Sequence, residues 1–478
     1  MNILGVHTGH DAAAALMVNG ELVAFCKEER LTRIKSDSIK RRDASRVLLH
    51  SIDEVLDIAG ISSQDLDVMV LSRMDIPSRY YKKTSYTLKD IGRRLRNKPM
   101  GLVTQMFKQG EWDETVILDH DRMRRDLGLR GDCEIMYANH HFSHILGAFR
   151  YTSWEKDALF ISADGGGDFI TYSAYGFDGS GLKCIYGGDE FIKKAPQKRY
   201  AASIGQAYSD VTKLLGFRPN RHEGKITGLA AFGEPIFGDD ISSQFMIEKD
   251  GSISSHFSSP SEMFAYLTSL NDRATREEMA ASIQYATEKV MSDWVKVLLD
   301  LFPSRYIGMS GVVFSNVRLN QQIAEIEGIE EIFVCPPMGD EGLPLGNCIY
   351  AQIAKGGLQA VPRGRLSDVY QGRQYTGRQL IEETEAEGFV VKRSDDTAPV
   401  AARLLAEDKI GAIYTRSMEM GPRALGARSI IASPRDRGLN DSLNERLERT
   451  EFMPFAPYVL DEDATFASRC NLAMVELE

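Results

Sequence analysis

Three observations predict an α/β fold with a duplicated core. A strand–turn–hairpin unit opens the chain, a similar unit returns near residue 158, and helical patterns lie between and after them. In the first unit Ile3 to His7 is a short apolar run and Ala12 to Val18 another. Asn19-Gly20, a strong signal for a tight hairpin turn, precedes a third run, Glu21 to Phe25. The second unit comprises Ala158 to Ser162, Thr171 to Phe177, the turn pair Asp178-Gly179, and Leu182 to Tyr186. Apolar residues at helical spacing predict helices over Arg46 to Ala59, His140 to Tyr151 and Arg276 to Phe302. Turn residues at Val361-Pro362-Arg363-Gly364-Arg365 interrupt the pattern and set a domain boundary, giving residues 1–362 and 363–478. Beyond it the sequence predicts a helix over Thr376 to Gly388, a strand over Phe389 to Lys392, a helix over Pro399 to Glu407 and a strand over Ile410 to Tyr414.

Composition narrows the function. The chain has 478 residues, 43% hydrophobic, which at roughly 100–200 residues per domain suits two to four domains, each with its own core. A net charge of −11 argues against a nucleic-acid partner, because phosphate contacts need clustered Lys and Arg. The basic stretch Lys82 to Arg96 reads as a solvated helix face. No run approaches the ~18 apolar residues of a membrane helix, and the N-terminus lacks the marks of a secretory leader. The six cysteines are scattered, with no Cys-x-x-Cys pair. A reduced, cytoplasmic protein is expected, with a homodimer left open.

Three constellations carry chemistry. His140 and His144, in Asn139-His140-His141-Phe142-Ser143-His144, are four apart, so on a helix both rings leave one face and can meet one metal ion. The bland alternative is a core or surface histidine pair. Asp164, which ends an apolar run and opens Asp164-Gly165-Gly166-Gly167-Asp168, and Asp340, in Gly339-Asp340-Glu341-Gly342, strengthen the metal reading. Each taken singly is also an ordinary tight turn. In the second constellation, Glu223 to Gly233, Lys225 is bracketed by Gly224 and Gly228 and can meet a nucleotide phosphate, although the P-loop spacing is absent. Gly311, Asn316 and Asn320 offer further backbone and amide groups to a nucleotide. In the third, Gly421-Pro422-Arg423-Ala424-Leu425-Gly426-Ala427-Arg428 places two arginines five apart on a glycine-punctuated loop. They form a candidate fork for a phosphorylated ligand, with Arg416 and Arg449 as further members; the alternative is pairing with Glu419 and Glu451.

Together these segments resemble the O-carbamoyltransferase family that includes the nodulation and tobramycin carbamoyltransferases. The matching pieces are His10 to Ala14, Glu28 to Lys35, Asn139 to His144, Asp164-Gly165, Glu223 to Gly233, Gly339 to Gly342, Gly421 to Ser429 and Pro454 to Pro457, in the family's order along nearly the whole chain. The resemblance implies an actin- and sugar-kinase-like (ASKHA) large domain and a smaller α/β domain similar to threonylcarbamoyl-adenylate synthase. It implies formation of carbamoyl-adenylate from carbamoyl phosphate and ATP, with Mg²⁺ accompanying ATP, then carbamoyl transfer to the hydroxyl of a small-molecule acceptor such as a sugar or secondary metabolite. It further implies that His140, His144, Asp164 and Asp340 hold Fe(II) or another divalent metal, and that His10 and Lys35 sit by the acceptor hydroxyl. Gly165, Gly166, Lys225, Gly228, Gly311, Asn316 and Asn320 are then the nucleotide-binding candidates, and Arg416, Arg423, Arg428 and Arg449 the carbamoyl phosphate candidates.

The chain departs from the family pattern in two places. Thr415-Arg416-Ser417-Met418-Glu419 stands where many members have Gln-Gly-Arg-Met-Glu, and the sequence ends at Glu478, before segments that members usually carry, so a partial small domain is expected. The alternatives are a tRNA-modifying transferase of the same superfamily, an inactive binding scaffold, and a metalloprotease. The last is disfavoured because His-Glu-x-x-His chemistry needs a glutamate base, and none stands between His140 and His144, where Phe142 and Ser143 occupy the middle.

Overall fold

The computed structural model describes residues 1–38, 50–73, 76–82, 118–189, 199–436, 438–447 and 455–463. The predicted hairpin units seed two five-stranded sheets of the same design. In the first, β1 (Asn2–His7), β2 (Ala13–Val18) and β3 (Glu21–Lys27) form an antiparallel meander, and β4 (Val68–Ser72) and β5 (Glu134–Ala138) add in parallel beside β1, giving the order β3-β2-β1-β4-β5. Asn19 (φ 51°) and Gly20 (φ 92°) both take the left-handed backbone that a two-residue hairpin turn demands. In the second sheet β6 (Ala158–Gly167), β7 (Ile170–Phe177) and β8 (Leu182–Tyr186) repeat the meander. A small antiparallel ribbon of β9 (Phe245–Ile247) and β10 (Ile253–Ser255) follows in the chain, and then β11 (Tyr306–Ser310) and β12 (Glu331–Val334) pair in parallel beside β6. The same order and the same mix of parallel and antiparallel pairing in both sheets define the duplicated actin- and sugar-kinase-like architecture.

Strand alternation fixes how the halves meet. In β2, Ala14 and Leu16 face one core while Ala13, Ala15 and Met17 face another. In β6, Leu159 and Ile161 point outward and Ala158 and Phe160 inward. The inward residues of both sheets share one central core, filled by helices α1 (His140–Arg150) and α2 (Leu343–Gly356). Helix α1 follows the first sheet in sequence yet packs on the second, and α2 follows the second sheet yet packs on the first. The exchange leaves the inner face of each sheet uncovered without the helix that the other half's sequence supplies.

The two helices touch at Gly346, where a Cβ would overlap the Ser143 carbonyl oxygen. Beside that contact Asn347 is fully buried. Its Oδ1 accepts from Ser143 Oγ at 2.8 Å, and its Nδ2 donates to Val6 O at 3.0 Å and Ser72 Oγ at 3.2 Å. One amide therefore joins α1, α2, β1 and β4.

The long helix Arg276–Leu301 covers the outer face of the second sheet, with the Thr275–Glu278 capping box at its start. Past the boundary the chain stays attached to the large domain. Arg363 lies between the rings of Phe149 and Phe177, 4.2 and 4.5 Å from their centroids, and Arg373 forks onto Glu54 at 2.7 and 2.8 Å. Helices Gly377–Ala386 and Ala398–Ala406 and the hairpin of β13 (Gly411–Tyr414) with β14 (Arg428–Ile431) follow. The strand expected over Phe389 to Lys392 is not formed: Phe389 and Val390 are exposed and no described strand lies alongside, so an apolar run without a hydrogen-bonding neighbour stays irregular. The first four residues, 46–49, of the helix predicted to end at Ala59 lie outside the described residues, as do most of the basic stretch, Arg449, Glu451 and Pro454. No helix among the described residues is long and apolar enough to cross a membrane.

Because Gly346 permits the closest approach of α1 and α2, Gly346→Ala should lower stability by about 1–3 kcal/mol through overpacking, read from urea denaturation. An unchanged midpoint would show that the helices are free to move apart.

Candidate metal centre and cleft

Four of the predicted residues converge where strand ends and helix beginnings meet. Asn139 caps α1, its side chain accepting from Phe142 N at 2.9 Å, and this makes His140 the first helical residue. The Asp168 carboxylate receives the His140 backbone N–H at 2.8 Å. His140 and His144 then present Nε2 atoms 3.2 Å apart from one helix face. Asp164 lies in β6 where the register with β7 shifts between Ala163 and Gly167. Its Oδ2 is 3.4 Å from His144 Nε2 and 3.9 Å from His140 Nε2. Asp340, in the turn that leads into α2, brings Oδ1 to 3.5 and 3.6 Å of the same two nitrogens. All four donor atoms lie within 4.8 Å of one another, and both histidines and Asp164 are buried.

Nearby glycines keep the cluster open. A Cβ on Gly167 would collide with the His140 ring, and Gly311, at φ 98°, lies against the Ala163 carbonyl where no side chain fits. His141, between the two cluster histidines in sequence, turns the other way and bonds Ser162 Oγ at 2.9 Å and Ile170 O at 3.1 Å. It is a core histidine linking α1 to the β6–β7 hairpin.

Charge dominates the chemistry here. Burial works to lower the His140 pKa, but Asp340 and Asp164 outweigh it and raise it to about 10; His144 is raised by the same carboxylates against the same burial. Asp164 is held well below the usual carboxylate range, since the two imidazoles overcome its own burial. The carboxylates thus favour the protonated form of the imidazoles that they face. A divalent cation can replace those protons, and two imidazoles with two carboxylates are a donor set suited to zinc or iron(II).

His10 lies in the turn after β1 and faces the Asp164 and Asp340 carboxylates. Its Nδ1 is 2.6 Å from Asp11 Oδ2, and its Nε2 is buried without a hydrogen-bond partner among the described residues. Lys35, about half exposed, meets Glu29 Oε1 at 3.3 Å, and its carbonyl accepts from Arg221 Nη2 at 2.5 Å. Sequence reasoning missed His7, whose Nε2 is 3.0 Å from His10 O and 3.7 Å from Asp340 Oδ2, and Asp11, Lys27 and Asp168. His7 was visible as the polar end of an apolar strand, but nothing local marks it as a neighbour of Asp340.

The remaining candidates are placed unevenly. Lys225 rides on the helix Glu223–Leu229 that also carries Gly228, with its ammonium 5.2 Å from the Phe217 ring centroid. Arg423 reaches this helix from beyond the boundary, its Nη2 3.7 Å from where a Gly224 Cβ would stand. Arg30 Nη2 donates to Gly421 O at 2.8 Å, holding the arginine loop against the large domain. Arg428 instead turns into its own loop, stacked 3.6 Å from the Tyr414 centroid and donating to the carbonyls of Thr415, Ala427 and Arg416. Arg416 lies over Tyr370, so Arg423 and Arg428 form no fork. The Glu419 carboxylate takes neither arginine and accepts the backbone N–H groups of Leu425, Ala427 and Arg428. Gly165 N donates to Asp164 Oδ1 at 2.6 Å, and Gly166 packs under the Tyr200 ring. Asn316 is engaged in capping the helix Val317–Ala324 and with Gln284, whereas Asn320 Oδ1 is buried without a partner among the described residues.

Fold and cleft define a two-lobed α/β protein of the actin and sugar-kinase type with a histidine–aspartate cluster between its lobes. Residues 2–349 match the carbamoyltransferase N-terminus family and residues 402–473 the carbamoyltransferase C-terminus family. The chain belongs to the carbamoyltransferase family. It is 30% identical to nodulation protein NolNO of Sinorhizobium fredii over 95% of this chain and 63% of that protein, so it spans less than two thirds of that relative's length. It is 28% identical to the uncharacterized protein sll1178 of Synechocystis over 96% of this chain and 76% of that one. Among solved structures, (R)-2-hydroxyglutaryl-CoA dehydratase component A of Acidaminococcus fermentans aligns with 74% of this chain and 100% of its own, at 13% identity and a TM-score of 0.41.

The raised imidazole pKa values set the sign of a pH effect. A cation must displace any proton that the carboxylates hold on these imidazoles, so it binds better as pH rises. Apparent affinity for Zn²⁺ or Fe²⁺ should increase by roughly tenfold per pH unit for each proton released. Calorimetry of wild-type chain in buffers of different ionisation enthalpy should detect that release, which His140→Ala should reduce. Binding with no proton release would exclude His140 and His144 as ligands.

Proposed function

We propose that this chain is an O-carbamoyltransferase that moves a carbamoyl group from carbamoyl-adenylate, made from carbamoyl phosphate and ATP, to the hydroxyl of a small-molecule acceptor such as a sugar or secondary metabolite. The observation that carries the reading is His10 Nε2, buried and unpartnered beside a cluster of four metal-type donors in a carbamoyltransferase-family chain. His140, His144, Asp164 and Asp340 would hold the divalent metal, Fe(II) being the candidate the family resemblance implies. When bound there it would supply Lewis-acid polarisation of a carbonyl oxygen.

The chain's own groups supply the rest. An alcohol is a poor nucleophile until its proton leaves, and an unprotonated His10 Nε2 would take it as attack proceeds. The acceptor oxygen bonds to the carbamoyl carbon, the bond from that carbon to the adenylate phosphate oxygen breaks, and AMP departs. Lys35 lends positive charge near the acceptor or the departing phosphate. Arg423, held against the Glu223–Leu229 helix near Lys225, fits the handling of phosphorylated substrates between the two parts of the chain.

Incubation with carbamoyl phosphate, ATP and a panel of small alcohols should give a carbamoyl mass gain by mass spectrometry. With an accepted alcohol in hand, His10→Asn should reduce turnover by about 10²–10⁴-fold with metal content preserved. A folded, metal-loaded His10→Asn chain with wild-type turnover rules out the base. Arg423→Ala should abolish reaction from carbamoyl phosphate and ATP yet spare transfer from supplied carbamoyl-adenylate. Equal loss with both donors would assign Arg423 to structure.

A further inference from the structure

The turn after β1 and the end of β3 build a second set of contacts outside the four-donor cluster. Asp11 has φ 56°, the left-handed region that Asp and Asn tolerate better than most residues. Its Oδ2 is 2.6 Å from His10 Nδ1 and its Oδ1 is 3.7 Å from Lys27 Nζ. Lys27 is 2% exposed, and its ammonium is also 3.2 Å from Glu29 Oε1, the oxygen that Lys35 Nζ meets at 3.3 Å. A continuous path of alternating charge therefore runs His10–Asp11–Lys27–Glu29–Lys35. It links the two side chains assigned to the acceptor hydroxyl.

A buried lysine is costly unless opposite charges hold it, so Lys27 is there in answer to its carboxylates. Its presence in turn keeps Asp11 ionised and in place. Burial alone would raise the Asp11 carboxyl, but His10, Lys27 and Lys35 drive it down to about 2. An ionised carboxylate at Nδ1 selects one imidazole tautomer: the proton stays on Nδ1 and the lone pair on Nε2. That lone pair is on the buried nitrogen without a partner.

We propose that Asp11 is a positioning residue that fixes the tautomer and orientation of His10, and that buried Lys27 locks Asp11 in that role while coupling it to Glu29 and Lys35. The role of His10 in catalysis rests on the carbamoyl-transfer reading; the Asp11–His10 pairing does not. The groups that face the pair and its lysine are Asp164 from β6, Asp340 and buried Glu341 from the turn before α2, Lys27 from β3, and Glu29 and Lys35 from the segment that follows it.

The test uses the full chain labelled with ¹⁵N-histidine, with the His10 signals assigned by their loss in His10→Asn. In wild-type protein above the His10 titration, the ring should carry its proton on Nδ1. Dominance of the Nε2–H tautomer overturns the proposal without any variant. Asp11→Asn keeps the left-handed turn and removes the charge. It should move the His10 titration to lower pH, since the partner that stabilises the imidazolium is gone, and should mix the tautomers. With an accepted alcohol, its kcat should fall on the order of 10²–10⁴-fold with little change in KM. An Asp11 that merely shapes the turn would leave the titration and kcat as in wild type, and that result also overturns the role. If wild-type chain carbamoylates nothing, the carbamoyl-transfer reading fails, while tautomer and titration still decide the Asp11 pairing.

Discussion

The contact between α1 and α2 at Gly346 is the constraint on which the rest of the molecule depends. Each helix is contributed by the chain segment that follows one sheet and is buried against the other, so the halves interlock. Close approach needs a residue without a side chain at Gly346, and Asn347 beside it satisfies buried groups of α1, β1 and β4 together. The same geometry sets the cluster. His140 and His144 are on α1, Asp340 enters α2, and Asp164 is supplied by the sheet on which α1 packs. A shift of either helix would move donors on one side of the cleft relative to the other.

Electrostatics divide the cleft into zones. The centre concentrates two carboxylates with two imidazoles, an arrangement suited to a cation. Elsewhere, Arg221 donates to the Lys35 carbonyl just before the Glu223–Leu229 helix, which carries Lys225 and meets Arg423 at Gly224. The Glu419 carboxylate, caught by three backbone N–H groups, gives the arginine loop its shape and leaves Arg423 directed outward from it.

Much of this was legible in the sequence because it is local. Alternation in the two hairpin units, the Asn19-Gly20 turn and the four-residue spacing of His140 and His144 each reflect near neighbours on one element. Aspartates at the polar ends of apolar runs could be named as candidates, since strand ends in such folds open on a cleft. What escaped was pairing between distant elements. Nothing around Lys27 marks it as the partner of Asp11, because β3 returns beside the start of β2, next to Asp11, only through the hairpin. Arg423 and Arg428 look alike in sequence, yet one reaches the large domain and the other is caught by the carbonyls of its own loop. The run at Phe389 to Lys392 misled for the same reason: a strand is a property of a pair.

The span between the donors has a mechanical meaning. His140 and Asp340 are about 200 residues apart in the chain, with the whole second sheet between them. An ion gripping both would close a very long loop, as a disulfide does, and the entropy removed from the unfolded chain grows with the length enclosed. Binding to the folded form alone would add stability in proportion to the logarithm of free ion over its dissociation constant. A cofactor site placed here is also a removable cross-link, so the lifetime of the folded chain would follow the supply of its metal.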